Sequence, residues 1–110
     1  MTEHPTTDAL VVLVTAPSTD EAARIGRALV DERLAACVNV LGGVRSIYRW
    51  RGAVHDEAEV LMIVKTTRPR FEALRERILA LHPYDTAEVL ALPVESGSER
   101  YLAWLTAEST

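Results

Sequence analysis

The order of apolar and polar positions along the 110 residues predicts alternating strands and helices. A short, β-branched apolar run at 10–15 is typical of a strand that is covered on both faces. Pro17 breaks this strand, and Ser18 with Glu21 has the spacing of a helix capping box. The apolar residues then recur at helical spacing to about Leu34, so a helix should follow the strand directly.

The middle of the chain predicts one long β-hairpin. An apolar run at 35–41 is followed by an extended segment at 44–50, and the pair of glycines between them indicates a bulge or bend. Residues 51–52, Arg-Gly, suit a tight hairpin turn because glycine adopts a positive φ without steric cost. The returning strand, 53–66, is polar in its first half, whereas residues 60–64 of its second half are all apolar. One end of the hairpin should therefore be solvated or shared with a neighbour, and the other end should be core.

The clearest helix of the chain covers 67–83. Thr67 is expected to cap it, Pro69 suits its first turn and Pro83 ends it. Its apolar residues fall on one stripe, formed by Phe71, Leu74, Ile78 and Leu81.

The last third of the chain predicts one more strand and a terminal helix. The strand covers 87–94, and its Pro93 favours a sheet edge because proline lacks an amide donor. The helix covers 96–107 with Ser98 as its cap, and its apolar residues should dock it on an apolar surface.

The order β-α-β-β-α-β plus a tail helix predicts an α+β fold, a ferredoxin-like sandwich with a long central hairpin and a short C-terminal helix. Residues 1–9 are expected to be a flexible tail and 10–107 a single domain. The two hairpin strands are about twice the usual length, and one sheet face is left without helices. Both features predict a partner subunit that covers that face or pairs with an exposed edge.

Composition and charge exclude several classes of function. The formal net charge of −4 argues against a nucleic-acid partner, which would require a basic surface. No apolar run is long enough to span a bilayer, and the first residues lack the pattern of a signal peptide. The single cysteine, Cys37, excludes an intrachain disulfide and favours a reducing, cytoplasmic location. No catalytic motif stands out, so we expect a protein that is not an enzyme.

Five short motifs, in this order, carry a resemblance to a known family. They are "RLAACVNV", "SIYRWRG", "EVLMIVKT", "HPYDTAEVLALPV" and "YLAWL". Together they resemble the CutA family, the divalent-cation tolerance proteins, from about Leu10 to Leu105. The resemblance implies a compact homotrimer of ferredoxin-like subunits with hairpin strands shared between subunits, and a role linked to copper or other divalent cations.

Two alternatives stay open beside that role. The implied architecture is similar to the trimeric PII signalling proteins, which suggests a sensor that binds a small organic or nucleotide ligand in clefts between subunits. The other alternative is a structural role, in which the assembled trimer itself serves as a scaffold.

The copper site that the resemblance implies is incomplete in this chain. It consists of a thiol near the end of the first strand and two consecutive histidines before the proline of "HPY". The corresponding positions are Val14, Leu81 and His82. Since neither valine nor leucine binds a metal, His82 is the one candidate ligand left for copper or another divalent cation. The alternative for His82 is a helix-terminal histidine that hydrogen-bonds the last carbonyls of its helix.

Three further residues are candidates for a ligand cleft. Lys65, Tyr84 and Glu88 are expected to line a cleft between subunits, where a carboxylate beside a lysine would suit a polar or anionic ligand. A hydrogen-bond network that holds the helix-to-strand turn is the alternative. Asp85 beside Tyr84 has no accompanying nucleophile or cofactor motif.

The remaining candidates concern packing. Core packing is expected for Cys37, because free cysteine is among the most buried residue types. In the acidic stretch 55–59, alternation sends His55, Glu57 and Glu59 to one face and Asp56 to the other, with salt bridges to arginines across the hairpin. Four aromatic residues are expected to anchor the subunit interface, namely Tyr48, Trp50, Tyr101 and Trp104.

Overall fold

A computed structural model of the chain describes residues 7–110 as a four-stranded antiparallel sheet with three helices. The elements are β1 (Ala9–Ala16), α1 (Thr19–Asp31), β2 (Cys37–Trp50), β3 (Ala53–Thr67), α2 (Arg68–Leu81), β4 (Leu90–Pro93) and α3 (Glu99–Glu108). The strands lie in the order β2-β3-β1-β4, so β3 and β1 are central and the other two strands form the edges. The predicted α+β class and element order are confirmed. None of the helices described is long and apolar enough to cross a membrane.

α1 begins where the sequence predicts and ends earlier. The Ser18 hydroxyl accepts a hydrogen bond from the Glu21 amide at 3.1 Å, which confirms the predicted N-cap. The helix ends at Asp31 and does not reach Leu34, because Arg33 takes a left-handed backbone conformation with φ of 59°. Leu34 is nevertheless buried, since this bend turns it back into the core.

The main core lies between the sheet and the two helices α1 and α2. Alternate residues of β1 and β3 meet the apolar stripes of both helices, and each large aliphatic side chain buried there contributes about 1.5–3 kcal/mol. Its fully buried members include Val12, Val14, Met62, Val64, Ile25, Leu29, Leu74 and Ile78.

The long hairpin forms as predicted. The pairing of β2 with β3 shifts register between Leu41 and Val44, which confirms the predicted irregularity at the two glycines. At the tip, Arg51 and Gly52 have φ values of 51° and 80°, the positive values that a tight two-residue turn requires.

Half of the hairpin extends beyond the rest of the sheet. β1 pairs with β3 only over 60–67, so residues 44–59 form a two-stranded ribbon that we call the hairpin arm. The arm exposes apolar side chains, among them Ile47 at 65% and Val54 at 62%.

The sheet face opposite α1 and α2, here called the open face, is only partly covered. α3 packs at one end of this face, where Leu105 is buried against Ala9 and Ala36. The rest of the face carries apolar side chains that are half-buried or exposed, which are Val11, Leu13, Leu41, Leu61, Ile63, Leu90 and Leu92. The helix-free face expected from the sequence is thus real over most of its length, although α3 covers its end.

Several element boundaries differ from the predictions. α2 ends at Leu81, and the Thr67 side chain makes no capping hydrogen bond because it is buried at the end of β3. β4 has four residues, Leu90–Pro93, since the chain between α2 and Leu90 forms a turn; its predicted edge position is confirmed.

Part of the predicted N-terminal tail belongs to the fold. The Thr7 hydroxyl donates to the Val94 carbonyl at 2.7 Å, and the Arg68 amide donates to the Asp8 carbonyl at 2.8 Å. The tail prediction is therefore wrong for residues 7–9, while residues 1–6 lie outside the described part of the chain.

Candidate functional site at the base of the hairpin arm

His82 ties the end of α2 to β1. Its Nδ1 accepts a hydrogen bond from the Tyr84 amide at 3.1 Å, so Nε2 carries the proton and donates to the Thr15 carbonyl at 2.7 Å. The side chain is buried, with 7% of the residue exposed. The partners of the imidazole lie in β1 and in the following turn. The predicted alternative, a side chain bonded to the last carbonyls of its own helix, is therefore wrong; only the backbone amide of His82 donates to such a carbonyl, that of Ile78.

A second contact holds the same helix end. Arg24 of α1 donates from Nη2 to the Leu81 carbonyl at 2.7 Å, which satisfies one of the carbonyls left open at the end of α2. The turn that carries Tyr84 is therefore anchored to both β1 and α1.

The three positions at which the sequence resemblance implies a copper site do not fit that metal here. Val14 is fully buried in the core, Leu81 packs against the same core, and both ring nitrogens of His82 are used in hydrogen bonds. A copper ion needs free lone pairs from thiolates or imidazoles, and these three residues offer none in this arrangement. Across residues 7–110, no group of three or more His, Cys, Asp or Glu is placed to hold a metal ion.

Tyr84 reaches from the turn to the base of the hairpin arm. Its hydroxyl donates to Glu59 Oε2 at 2.9 Å, and its ring centroid lies 4.8 Å from that of His82. Burial disfavours the phenolate, and the hydrogen bond to Glu59 favours the neutral hydroxyl further, so the pKa of Tyr84 rises to about 12. The hydroxyl is thus a fixed donor that joins the turn to β3.

Tyr48 makes an equivalent hydrogen bond two residues further along β3, to Glu57 in place of Glu59. Its hydroxyl donates to Glu57, and this hydrogen bond is the main reason that the pKa of Tyr48 is raised. The Tyr48 ring also stacks on His55, with centroids 5.3 Å apart. We call these residues the tyrosine–carboxylate cluster, formed by Tyr48, His55, Glu57, Glu59 and Tyr84. The shared face of His55, Glu57 and Glu59 was predicted from strand alternation, whereas their tyrosine partners were not.

The opposite face of the arm carries an ion pair. Arg45 donates from Nε and Nη2 to the two Asp56 oxygens at 2.8 and 2.6 Å, and this guanidinium lowers the pKa of Asp56. The expected salt bridge across the hairpin is confirmed for this pair.

Lys65 lies far from the other cleft candidates within one chain. It is six residues from Glu59 along β3, which corresponds to about 20 Å, and its Nζ lies 5.8 Å from the Tyr101 ring centroid. Glu88 is half-buried and makes no side-chain hydrogen bond within residues 7–110. The three candidates therefore do not form one site within a single subunit, and a shared cleft between subunits stays a prediction.

Cys37 is not in the core. It is half-buried on the open face, opposite Lys65 in the β2–β3 pairing, and its Sγ lies 3.8 Å from Asn39 Oδ1. The expectation of core packing is wrong because Cys37 is the first residue of an edge strand and its side chain points away from α1 and α2.

The four aromatic interface candidates are all exposed in the single chain. Tyr48 and Trp50 lie on the arm, while Tyr101 and Trp104 lie on α3 with ring centroids 5.4 Å apart. α3 is held by its apolar residue Leu105, as expected, whereas Tyr101 and Trp104 are not part of the cluster that docks it. Their role in an interface between subunits stays a prediction.

Comparison with known proteins identifies the relatives of this chain. The family model described as "CutA1 divalent ion tolerance protein" matches residues 10–108. The divalent-cation tolerance protein CutA of Thermus thermophilus is 54% identical over 95 residues, which cover 86% of this chain and 92% of the relative. The protein of the same name from Pectobacterium atrosepticum is 44% identical over 107 residues, which cover 97% of both chains. The chain spans about half the length of some relatives, such as the chloroplastic protein CutA of Arabidopsis thaliana, of which it covers 55%.

Solved structures have the same fold. The divalent cation tolerance protein from Thermus thermophilus superimposes with a TM-score of 0.90 at 50% identity, over 93% of this chain and 99% of the other. The CutA structure from Xylella fastidiosa superimposes with a TM-score of 0.92 at 38% identity, over 94% of this chain and 100% of the other.

Proposed function

The chain belongs to the CutA1 divalent ion tolerance protein family, and from that premise we propose that it is a non-enzymatic homotrimer that contributes to tolerance of copper and other divalent cations. We further propose that its subunit is ferredoxin-like. The element order and the strand order β4-β1-β3-β2 support that assignment.

The observation that carries the proposed assembly is the open face. Its half-buried and exposed aliphatic side chains run across all four strands, and Leu92, for example, is 49% exposed. Each square ångström of apolar surface left in water costs about 25 cal/mol, and continuous patches of this kind mark interaction sites. Association of copies through this face would remove that cost.

The proposed link to divalent cations does not pass through the family's copper positions. Val14, Leu81 and His82 do not fit a copper site in this chain, so the proposal assigns no step to a metal held there. The function rests on the family and on the assembly.

The proposed cytoplasmic location rests on the single cysteine, since no intrachain disulfide can form. A related structure from Archaeoglobus fulgidus is described as a periplasmic divalent cation tolerance protein, which makes location a question for experiment. Fractionation of cells that produce the full-length protein would decide it. Recovery in the periplasmic or membrane fraction would refute the proposal.

The test of the assembly is the mass in solution. Light scattering coupled to size-exclusion chromatography should give about three times the 12.2 kDa of one chain. Leu92→Asp places a charge on the open face and should lower this mass. Leu79→Asp is the matched control, because Leu79 lies on α2 away from that face and has a similar exposure of 48%. A monomeric wild-type protein, or equal effects of the two substitutions, would refute the proposed assembly.

A further inference from the structure

Lys65 is the only lysine in the chain and occupies a distinct position on the open face. It is half-buried, and no other lysine or arginine lies among the strand residues of that face. Its Nζ lies near the Tyr101 ring and makes no ion pair within residues 7–110. A partly desolvated ammonium group without a carboxylate is a favourable place for an anionic group to bind.

The opposite end of the same face carries the complementary charge. Glu57 and Glu59 accept hydrogen bonds from Tyr48 and Tyr84, and neither carboxylate makes an ion pair within the described part of the chain. Arg45, the nearest arginine across the hairpin, pairs with Asp56 on the other face. The open face is therefore apolar in its centre, cationic at one end and anionic at the other.

These two ends cannot meet within one subunit. The separation of about 20 Å along β3 is beyond the combined reach of a lysine and a glutamate side chain. In a cyclic oligomer, however, each interface joins two different patches of neighbouring copies. A face with opposite charges at its two ends satisfies that requirement.

We propose that Lys65 of the partner subunit pairs with Glu57 and Glu59 and so completes the tyrosine–carboxylate cluster. This inference rests on the proposed homotrimer. The cluster is then a composite site that occurs once per interface and is incomplete in a single chain. The charge pair would also fix the register in which one open face packs on the next, since a shifted register would leave both charges against apolar side chains.

The sole lysine makes this contact open to a direct chemical test. A carbodiimide joins an amine to a carboxylate only when the two groups touch, and Lys65 is the one side-chain amine. Treatment of the wild-type protein should give covalent dimers and trimers on a denaturing gel. Mass spectrometry should find the peptide of residue 65 joined to the peptide of Glu57 and Glu59.

Two variants separate this contact from other cross-links. Lys65→Arg keeps the positive charge and the assembly but cannot react, so these cross-links should disappear while the mass in solution stays that of a trimer. Glu72→Gln removes a carboxylate on α2, where Glu72 pairs with Arg75, and should leave the cross-links unchanged.

Exchange of the two charges tests the energy of the contact. Lys65→Glu and Glu59→Lys should each weaken the assembly and so raise its dissociation constant. In the double variant the dissociation constant should be at least about tenfold lower than the value expected if the two single effects were independent. A trimeric wild-type protein without the residue 65–Glu57/Glu59 cross-link, or with additive single effects, would overturn this inference and leave the proposed function intact. A monomeric wild-type protein would overturn both.

Discussion

Replacing His82 by alanine separates a structural role from a metal-binding role. The substitution removes a long-range hydrogen bond to the Thr15 carbonyl of β1 and a local one from the Tyr84 amide, and both bonds are partly buried. Each buried polar group left without a partner costs about 1–3 kcal/mol. Both groups are partly buried, so water will recover part of this loss, and we expect a decrease of about 2–4 kcal/mol in the free energy of unfolding.

The assay is guanidinium unfolding followed by circular dichroism at one fixed protein concentration, because the stability of an oligomer depends on concentration. His55→Ala is the control, since His55 also stacks on a tyrosine ring but lies on the arm. Loss of that stacking should cost about 1 kcal/mol or less.

Copper distinguishes the two roles of His82 in the same experiment. A ligand that binds only the folded state raises its stability, so a copper site at His82 would stabilise the wild type and not the variant. The structure predicts instead that copper shifts the unfolding midpoints of wild type and His82→Ala equally. A cost below about 0.5 kcal/mol, within the range of ordinary surface substitutions, would refute the structural role. Copper stabilisation confined to the wild type would refute the argument that both ring nitrogens are occupied.

Three further predictions test local contacts. The pKa of Tyr84 lies above its unfolded value of 10.0, so its contribution to stability is complete below about pH 10 and is lost as the pH rises through about 12. Because Tyr84 is partly exposed, this amounts to about 1 kcal/mol, and Tyr84→Phe should flatten the alkaline part of a plot of unfolding midpoint against pH. Arg45 lowers the pKa of Asp56. Their ion pair therefore stabilises the folded state above about pH 4 and does so less as the pH falls. Asp56→Asn should remove this acid dependence from a plot of unfolding midpoint against pH. A Cβ at Gly26 would lie 3.0 Å from Val38 Cγ1. Gly26→Ala should therefore lower the free energy of unfolding by about 1 kcal/mol, although alanine has the better helix propensity. In a Val38→Ala background the same substitution should instead raise the stability measured by thermal unfolding.

The period of the apolar residues was enough to predict the elements, but not where some of them end. Strand β1 and the α2 stripe follow directly from local sequence, because burial imposes a period of two or of 3.6 residues. The end of α1 depends on the left-handed conformation of Arg33, which no local propensity favours. Thr67 has the right residue type for a cap, yet burial at the end of β3 directs its side chain elsewhere.

The candidate site was harder to predict because its contacts join distant parts of the chain. Alternation alone placed Glu57 and Glu59 on one face, since that is a local property of a strand. The hydrogen bond from Tyr84 to Glu59 spans 25 positions, and that from His82 to Thr15 spans 67. Such pairs depend on the strand register and on how α2 returns to β1, and neither is encoded in a short motif.

The position of the tyrosine–carboxylate cluster links assembly to the conformation of the arm. Glu59 is the last residue of the arm before β3 gains β1 as a second neighbour, so Tyr84 holds the arm where it leaves the sheet. A two-stranded ribbon is only marginally stable by itself, and this ribbon exposes Ile47 and Val54. Its orientation in an isolated chain therefore depends on a few polar contacts at its base. Packing on a neighbouring copy would add apolar burial along the arm and, through Lys65 of the partner subunit, a charge at the same base. Assembly and completion of the cluster would then stabilise the same arm conformation, so each would favour the other.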